Sequence, residues 1–481
     1  MHHALSQPEI VGMIVRSGPS RRRGFYFTCL RLNKLFFEET VRVLWHKCNG
    51  SPSIKDLATL EIGRRRFYAQ YINVLSFGVA WWIGATLDDD SRYISHLHDL
   101  PWPRLRELTF YAPCRGTDIK PLLRTNLVKF AVRDCRELND ENLEWLRAGS
   151  SRLRSFDVRL SQKGNKIGTQ ELQKFLTHFK SLEKLGFLGM QWTLESFETV
   201  AQYSRLHTLA CPPILQGWPK KIESGLSTLT SLTCAISAKA LEELSRLALR
   251  LTYLQINIEA PSQGLVRAAS KFENLEILKL ITPRGGVEWE ISGAELISLA
   301  RNCKNLEVFS IDHTTSQYDE NFPSPPGTPP EEYLHPTGVD MSDDNIAAAA
   351  QHFRNLKEMK ITFGNAAGLS FASIQSLCEN CRDLESLIIT CDVDWELFEQ
   401  TNFDISFPAM TDLRIQRATQ AMPPLAPNDD VLRSIVRKLA DLLPSLTNFE
   451  IYTGEPFEHD LSDAVTKALN DGTWRMGDIV L

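Results

Sequence analysis

From Leu105 onward the apolar residues recur in a six-residue phrase, apolar-x-x-apolar-x-apolar: LRELTF at 105, LVKFAV at 127, LRSFDV at 153 and LEKLGF at 182. It returns as LHTLAC (206), LTSLTC (229), LTYLQI (251), LEILKL (275), LEVFSI (306), LKEMKI (356), LESLII (384), MTDLRI (410) and LTNFEI (446), thirteen copies in all. Ten of the twelve start-to-start steps lie between 22 and 31 residues, a regularity that chance apolar clusters would not hold over such a length. The last two apolar positions of each phrase are two apart, the period of a strand, so one side faces a core and the residues between face out. Helical patterns separate the phrases, as in TQELQKFLTHF, where Leu172, Phe175, Leu176 and Phe179 fall three and four residues apart. A strand-then-helix unit cannot bury its apolar face alone. Stacked copies predict an α/β solenoid, with a curved parallel sheet on the concave side and helices on the convex side.

The longest step, 50 residues from Leu306 to Leu356, contains TTSQYDENFPSPPGTPPEEYLHPTG, too rich in Pro and acid for helix or sheet. It predicts a loop insertion at about 313–340 on one edge of the array. Ser324-Pro325 and Thr328-Pro329 are candidate phosphosites for proline-directed kinases, although Pro- and Ser-rich surface loops produce such matches often.

Ahead of the repeats, ALSQPEIVGMIV and FTCLRLNKLFFEETVRVLWHKC flank a charged break at RSGPSRRRG, which implies two helices around a loop over residues 1–50. Leu30, Leu32, Leu35, Phe36, Val41, Val43, Leu44 and Trp45 are too apolar for a free surface. Fifty residues bury little core, so this module needs support from a partner or from the repeats beside it. Residues 51–104 read as a linker and an irregular capping repeat in which Leu75, Phe77 and Val79 alternate, and residues 105–481 read as the repeat array.

Composition narrows the function classes. The chain of 481 residues is 43% hydrophobic and 23% charged, which fits a folded protein, and its net charge of -6 leaves no basic footprint for nucleic acid. The ten cysteines are scattered; Cys378 and Cys381 have no second CxxC or HxxxH to complete a zinc site, so reduced, buried thiols and no metal or cofactor are expected. Signatures for phosphate-binding loops, serine hydrolases, zinc proteases and deaminases are absent from the sequence. MHHALSQPEI lacks a signal pattern and the apolar run from Ser76 to Leu87 is too short to span a bilayer, so a cytoplasmic or nuclear location without membrane contact is expected. The runs Arg21–Arg23 and Arg64–Arg66 read as solvated charge.

The repeat phrases resemble the leucine-rich-repeat family. LARNCKNLEVFSI and LCENCRDLESLII carry an Asn-Cys step that is similar to the cysteine-containing subclass found in F-box proteins, which implies that Cys303 and Cys381 fill the core. The N-terminal segment resembles the F-box of fungal F-box proteins through Leu5, Pro8, Glu9, Ile10, Cys29, Leu30, Leu44 and Trp45, although the opening Leu and Pro are spaced more widely and Asn33 replaces a common aromatic. This resemblance implies a non-catalytic substrate-recognition subunit of a Skp-cullin-F-box ubiquitin ligase. Leu5, Pro8, Glu9, Ile10, Ile14, Cys29, Leu30, Leu44 and Trp45 would bind the Skp adaptor, and the repeats would hold an unidentified target protein. The expected target contacts are outward strand positions: Tyr111, Arg133, Asp157, Arg159, Tyr253, Gln255, Asn257, Lys279, Asp312, Lys360, Arg414 and Tyr452. The alternative is a repeat scaffold or inhibitor without a ubiquitin link, in which the N-terminal segment is a buried cap. An enzyme would need a deep pocket with strongly perturbed titrating groups.

Overall fold

A computed structural model describes residues 3–18, 23–48, 53–77, 90–110, 119–133, 138–159, 167–282, 289–313, 337–363, 368–401, 406–416, 429–452 and 456–471. These fall into two compact units, Met1–Pro212 and Pro213–Leu481.

The first unit opens with three helices, α1 (Pro8–Ser17), α2 (Arg23–Leu32) and α3 (Lys34–Leu44). The second of the two expected helices is therefore broken, and the cause is local. Asn33 has extended backbone and its side-chain oxygen accepts the Phe36 N–H at 2.9 Å, capping α3. Val11, Val15, Cys29 and Phe36 form the small core of these helices, with Leu5, Phe25, Tyr26, Leu35 and Val43 packed against it. The chain then enters the sheet almost at once through β1 (Lys47–Cys48), followed by α4 (Ile54–Thr59), α5 (Ile62–Ala69) and β2 (Val74–Phe77). Five more strands follow, β3 (Glu107–Phe110), β4 (Lys129–Arg133), β5 (Ser155–Arg159), β6 (Lys184–Leu188) and β7 (Thr208–Ala210). All seven pair in parallel with their sequence neighbours.

The second unit continues the pattern with β8 (Ser231–Cys234), β9 (Tyr253–Asn257) and β10 (Ile277–Thr282). A short strand β11 (Glu290–Ser292) precedes β12 (Val308–His313), and another, β13 (Thr337–Val339), precedes β14 (Glu358–Ile361), β15 (Ser386–Thr390), β16 (Asp412–Gln416) and β17 (Asn448–Tyr452). The longer strands again pair in parallel and in order, while β11 and β13 pair only with each other. The end of the expected 313–340 loop is thus a strand, because backbone groups of Thr337–Val339 find partners on Glu290–Ser292. Ser324 and Thr328 lie outside the described residues. This mixed α/β architecture of parallel strands and intervening helices is consistent with a leucine-rich-repeat solenoid.

All thirteen phrases form strands, and the first residue of every phrase is no more than 4% exposed. Burying a side chain of that size stabilises the fold by roughly 2 kcal/mol. The core lies between strands and helices: the Phe156 ring on β5 sits 4.5 Å from Phe175 on the helix Thr169–His178. In β2, Leu75 and Phe77 are buried as the alternation predicts, and Val79 lies outside the described residues.

A second recurring contact ends many of the helices. The amide of the leading Leu donates to the carbonyl three residues back, as in Leu153 to Ser150 (3.1 Å), Leu275 to Phe272 (3.0 Å), Leu306 to Cys303 (3.1 Å) and Leu384 to Cys381 (3.0 Å). The residue at that place is a buried plug. Where it is polar it also donates to a carbonyl of the preceding repeat: Ser150 Oγ to Thr125 at 2.7 Å, Tyr203 OH to Leu176 at 2.5 Å, and Cys303 Sγ to Phe272 at 3.4 Å. Cys303 and Cys381 therefore fill the core, and Cys303 also links two repeats. Burial holds both thiols up at about 12, and the Cys378 and Cys391 thiols are raised by the same cause. Because the thiolate is the reactive form, these four stay protonated and unreactive well above neutral pH. Iodoacetamide at pH 8 should leave all four unmodified in the native chain and alkylate them in urea, as read by peptide mapping; native labelling of Cys303 at the unfolded rate would contradict the packing.

Candidate partner-binding surfaces

Three surfaces bear on function: the N-terminal helices and the outward sheet face of each unit. On the helices, the residues that carry the F-box resemblance do not share one environment. Cys29 is core, Leu5 packs against that core, Ile10, Leu30, Leu44 and Trp45 are half-buried, and Pro8, Glu9 and Ile14 are exposed. Trp45 is engaged within the chain, its ring stacked on Tyr68 at 4.5 Å and 14°. Phe37 of α3 likewise stacks on Phe67 of α5 at 6.4 Å. The apolar surface left to solvent comes mostly from other positions: Met13 is 54% exposed, Ile14 37%, Phe27 60% and Leu32 57%. Of these only Ile14 was anticipated as a contact. Met13 and Phe27 stand two residues from Val11, Val15 and Cys29 and so on the far side of their helices, which helical periodicity carries, whereas Ile14 and Leu32, three residues from Val11 and Cys29, lie beside the buried side.

Within the same helices Glu39 is a buried charge. Its carboxylate pairs with the Arg42 guanidinium at 2.9 Å, and a Cβ added at Gly12 would stand 3.0 Å from Glu39 Oε2, so Gly12 is what lets α1 pass this pair. Arg65, expected to be solvated, is also engaged, donating to the carbonyls of Leu60 at 2.8 Å and His96 at 2.9 Å.

The outward sheet face differs between the units. In the first, the central outward position of successive strands is held by Ser76, Thr109, Ala131, Asp157, Gly186 and Ala210, in register across β2 to β7. These side chains are small, and Asp157, the one charge among them, is only 8% exposed. Lys184 lies 3.6 Å and Arg159 3.8 Å from its carboxylate. Asp157 is thus part of a closed row, whereas Arg159 at the strand end is exposed. Tyr111 lies outside the described residues, and Arg133 and Tyr452 end their strands with side chains outside the description.

In the second unit most outward positions are half-exposed, Ser310 is buried, and several of them are hydrogen-bonded to one another. On β9, the Tyr253 hydroxyl donates to Gln255 Oε1 at 2.9 Å and Gln255 Nε2 to Asn257 Oδ1 at 3.4 Å. Asp312 on β12 accepts from the Ser310 hydroxyl and pairs with Lys360 Nζ on β14. Asp412 on β16 accepts from Ser386 Oγ (3.0 Å), Arg414 Nε (3.0 Å) and Asn448 Nδ2 (2.7 Å), and Arg414 reaches Glu450 at 3.5 Å. Lys279 on β10, between the first two groups, has no hydrogen-bond or ion-pair partner among the described residues. The structure therefore brings Asp312 with Lys360 and Tyr253 with Gln255 and Asn257, and sets Arg414 on a hub that sequence reading missed. Asp412 was legible in principle, since it is the third letter of MTDLRI, the place Tyr253 holds in LTYLQI.

Among the described residues no three or more His, Cys, Asp or Glu side chains gather as metal ligands would, and no helix is long and apolar enough to cross a membrane. A cavity of about 350 Å³ lies at the Cys381 turn, lined among others by Cys378, Glu379, Arg382 and Phe407. Its thiols are raised, not activated.

No family model matches the chain. Among solved structures it is similar to the crystal structure of a Rad7 and Elc1 complex from yeast, at 15% identity over 73% of this chain and 77% of that one, with a TM-score of 0.38. The fold description rests on strand order and register, not on this likeness.

Gly186 gives the closed row a direct test. A Cβ there would collide with Asp157 Oδ1, so Gly186→Ala should destabilise the fold by about 1–3 kcal/mol. The Asp157→Ala/Gly186→Ala double variant should lose less than the sum of the singles, as measured by urea unfolding. Additive losses would show that the two side chains do not meet.

Proposed function

We propose that this chain is the substrate-recognition subunit of a Skp-cullin-F-box ubiquitin ligase, with the N-terminal helices docking the Skp adaptor and the outward face of the repeats holding the target. The observation that carries this reading is the solvent-facing apolar set Met13, Ile14, Phe27 and Leu32 on α1 and α2, with Met13 and Phe27 opposite a core that is already filled and Ile14 and Leu32 flanking it. A helical cap needs one apolar side; a second one is the mark of a docking surface. The half-exposed polar rows of the second unit suit a protein target, since their donors and acceptors are held in fixed places before binding. The role asks for no catalytic residue, because holding a target near the transfer machinery acts through effective concentration.

A second reading, a repeat scaffold without a ubiquitin link, is favoured by a specific contact. α3 runs into β1 within three residues, and Trp45 and Phe37 stack on Tyr68 and Phe67, so the helices also close the first repeat.

Co-purification with a fungal Skp adaptor separates the two. Met13→Glu with Phe27→Glu alters only the outer side and should weaken adaptor binding at least tenfold, taking roughly 1.5 kcal/mol or more per apolar side chain, while the melting curve stays unchanged. Substitution of Trp45 would confound the test by unstacking Tyr68. An intact, folded chain that fails to bind leaves the scaffold reading.

A further inference from the structure

At the N-terminal end of each strand the chain makes a tight turn around the leading Leu, and the two residues before that Leu and the one after it line one edge of the sheet. Backbone bonds fix the row: in the first unit the amides of Arg154, Glu183 and His207 donate to the carbonyls of Val128, Arg154 and Glu183 at 2.8–2.9 Å. Arg104, Arg106, Arg152, Arg154, Lys180 and Arg205 occupy this edge in four repeats, and Glu183 is the one acid among them. Glu183 is taken by Arg154 at 3.0 Å, and Arg106 donates to the Asn126 carbonyl at 3.2 Å. Arg152, Lys180 and Arg205 are exposed and have no hydrogen-bond or ion-pair partner among the described residues.

The fold does not call for this charge. The equivalent turns of the second unit are balanced in charge: Arg250, Lys304, Arg354, Lys357 and Arg382 stand among Glu273, Glu276, Glu307, Asp383 and Glu385, and Lys357 pairs with Glu307 at 2.9 Å. Like charges set in a row repel, so a single-sign edge is a cost to the isolated fold that only an opposite charge outside it removes.

We infer that this edge of the first unit is a docking surface for an acidic α-helical segment of a partner protein. Adjacent parallel strands are about 4.8 Å apart and successive turns of an α-helix about 5.4 Å, so acids at every third or fourth position follow the cations repeat by repeat, with a drift that Arg and Lys side chains absorb. A nucleic-acid strand is the less suited occupant, because the chain's net charge of -6 opposes a long polyanion and, among the described residues, no aromatic ring lies against the three partnerless cations for base stacking. The surface is separate from the outer sides of α1 and α2 and from the outward sheet face, and the inference does not rest on the ubiquitin-ligase reading.

The probe is a fluorescein-labelled Ala-rich peptide of about 20 residues, long enough to hold a helix, with Glu on one face. Its companion has the same composition with Glu spread around the helix. Fluorescence anisotropy with the full chain should show binding of the one-faced helix that falls steeply with salt. It should weaken roughly tenfold in Arg152→Glu/Lys180→Glu/Arg205→Glu, and stay unchanged in Lys304→Glu/Arg354→Glu of the second unit. The milder Arg152→Asn/Arg205→Asn, with residue types the equivalent turns already carry, should weaken it severalfold and guards against loss of folding in the triple variant. Absence of binding by the folded chain, equal binding of the companion peptide, or tighter binding of single-stranded or duplex DNA would each overturn the inference.

Discussion

Every part of this structure depends on a parallel backbone ladder in which each repeat completes the hydrogen bonding of the one before. Glu307 donates to Glu276, Lys357 to Glu307 and Glu385 to Lys357, each at 2.8 Å, so the first residue after each leading Leu is pinned to its neighbour before the strand proper begins. A slip of one residue would turn Leu387 and Ile389 out and Ser386 and Ile388 in, emptying the core, so register is strongly specified wherever the helices cover one face. The same ladder puts outward side chains in rows. Asp312 meets Lys360, and Asp412 meets Ser386 and Asn448, only because their strands are held in step.

What could be read from the sequence follows from which interactions are local. The thirteen phrases and their buried first residues were legible, since apolar spacing alone determines which side of a strand faces in. Strand β1 was not: Lys47 and Cys48 carry no phrase, and pairing with Val74 and Leu75 is what makes them a strand. The break between α2 and α3 was hidden in a continuous apolar pattern and is set by one side-chain bond from Asn33. Asp157 shows a further limit, because its strand periodicity matches that of Lys279 or Lys360, yet it is buried in a row of small neighbours while they are half-exposed. The burial of an outward residue depends on what stands beside it in the next repeat, which the phrase does not contain.

Repeats make a comparison that a single-copy fold does not allow. At one structural position the residues differ only by choice, so a departure from the other copies is informative about something other than folding. The plug before the leading Leu is Ser150, Phe179, Tyr203, Phe272, Cys303 or Cys381, all buried and differing in how they fill one space. That variation is packing. The residue before the leading Leu is Arg104, Arg152, Arg205 or Arg250 in some repeats and Asn274 or Asn355 in others, all exposed, and packing is indifferent to the difference.

The N-terminal helices can be argued the same way. To close the first repeat they must offer apolar residues inward, which Val11, Val15, Cys29 and Phe36 do for their own core and Phe37 and Trp45 do against Phe67 and Tyr68. Those contacts use α3 and the inner sides of α1 and α2. The outer side is then unconstrained by folding and would be expected to carry charge, as it does at Arg16 and Arg31 in the last turns. Met13 and Phe27 break that expectation, and Leu32 at the end of α2 adds to the apolar surface, each more than half exposed in a module too small to spare it. A segment whose own core is four buried side chains gains more from a partner that covers this side than from any rearrangement within itself, and so stability and docking favour the same residues.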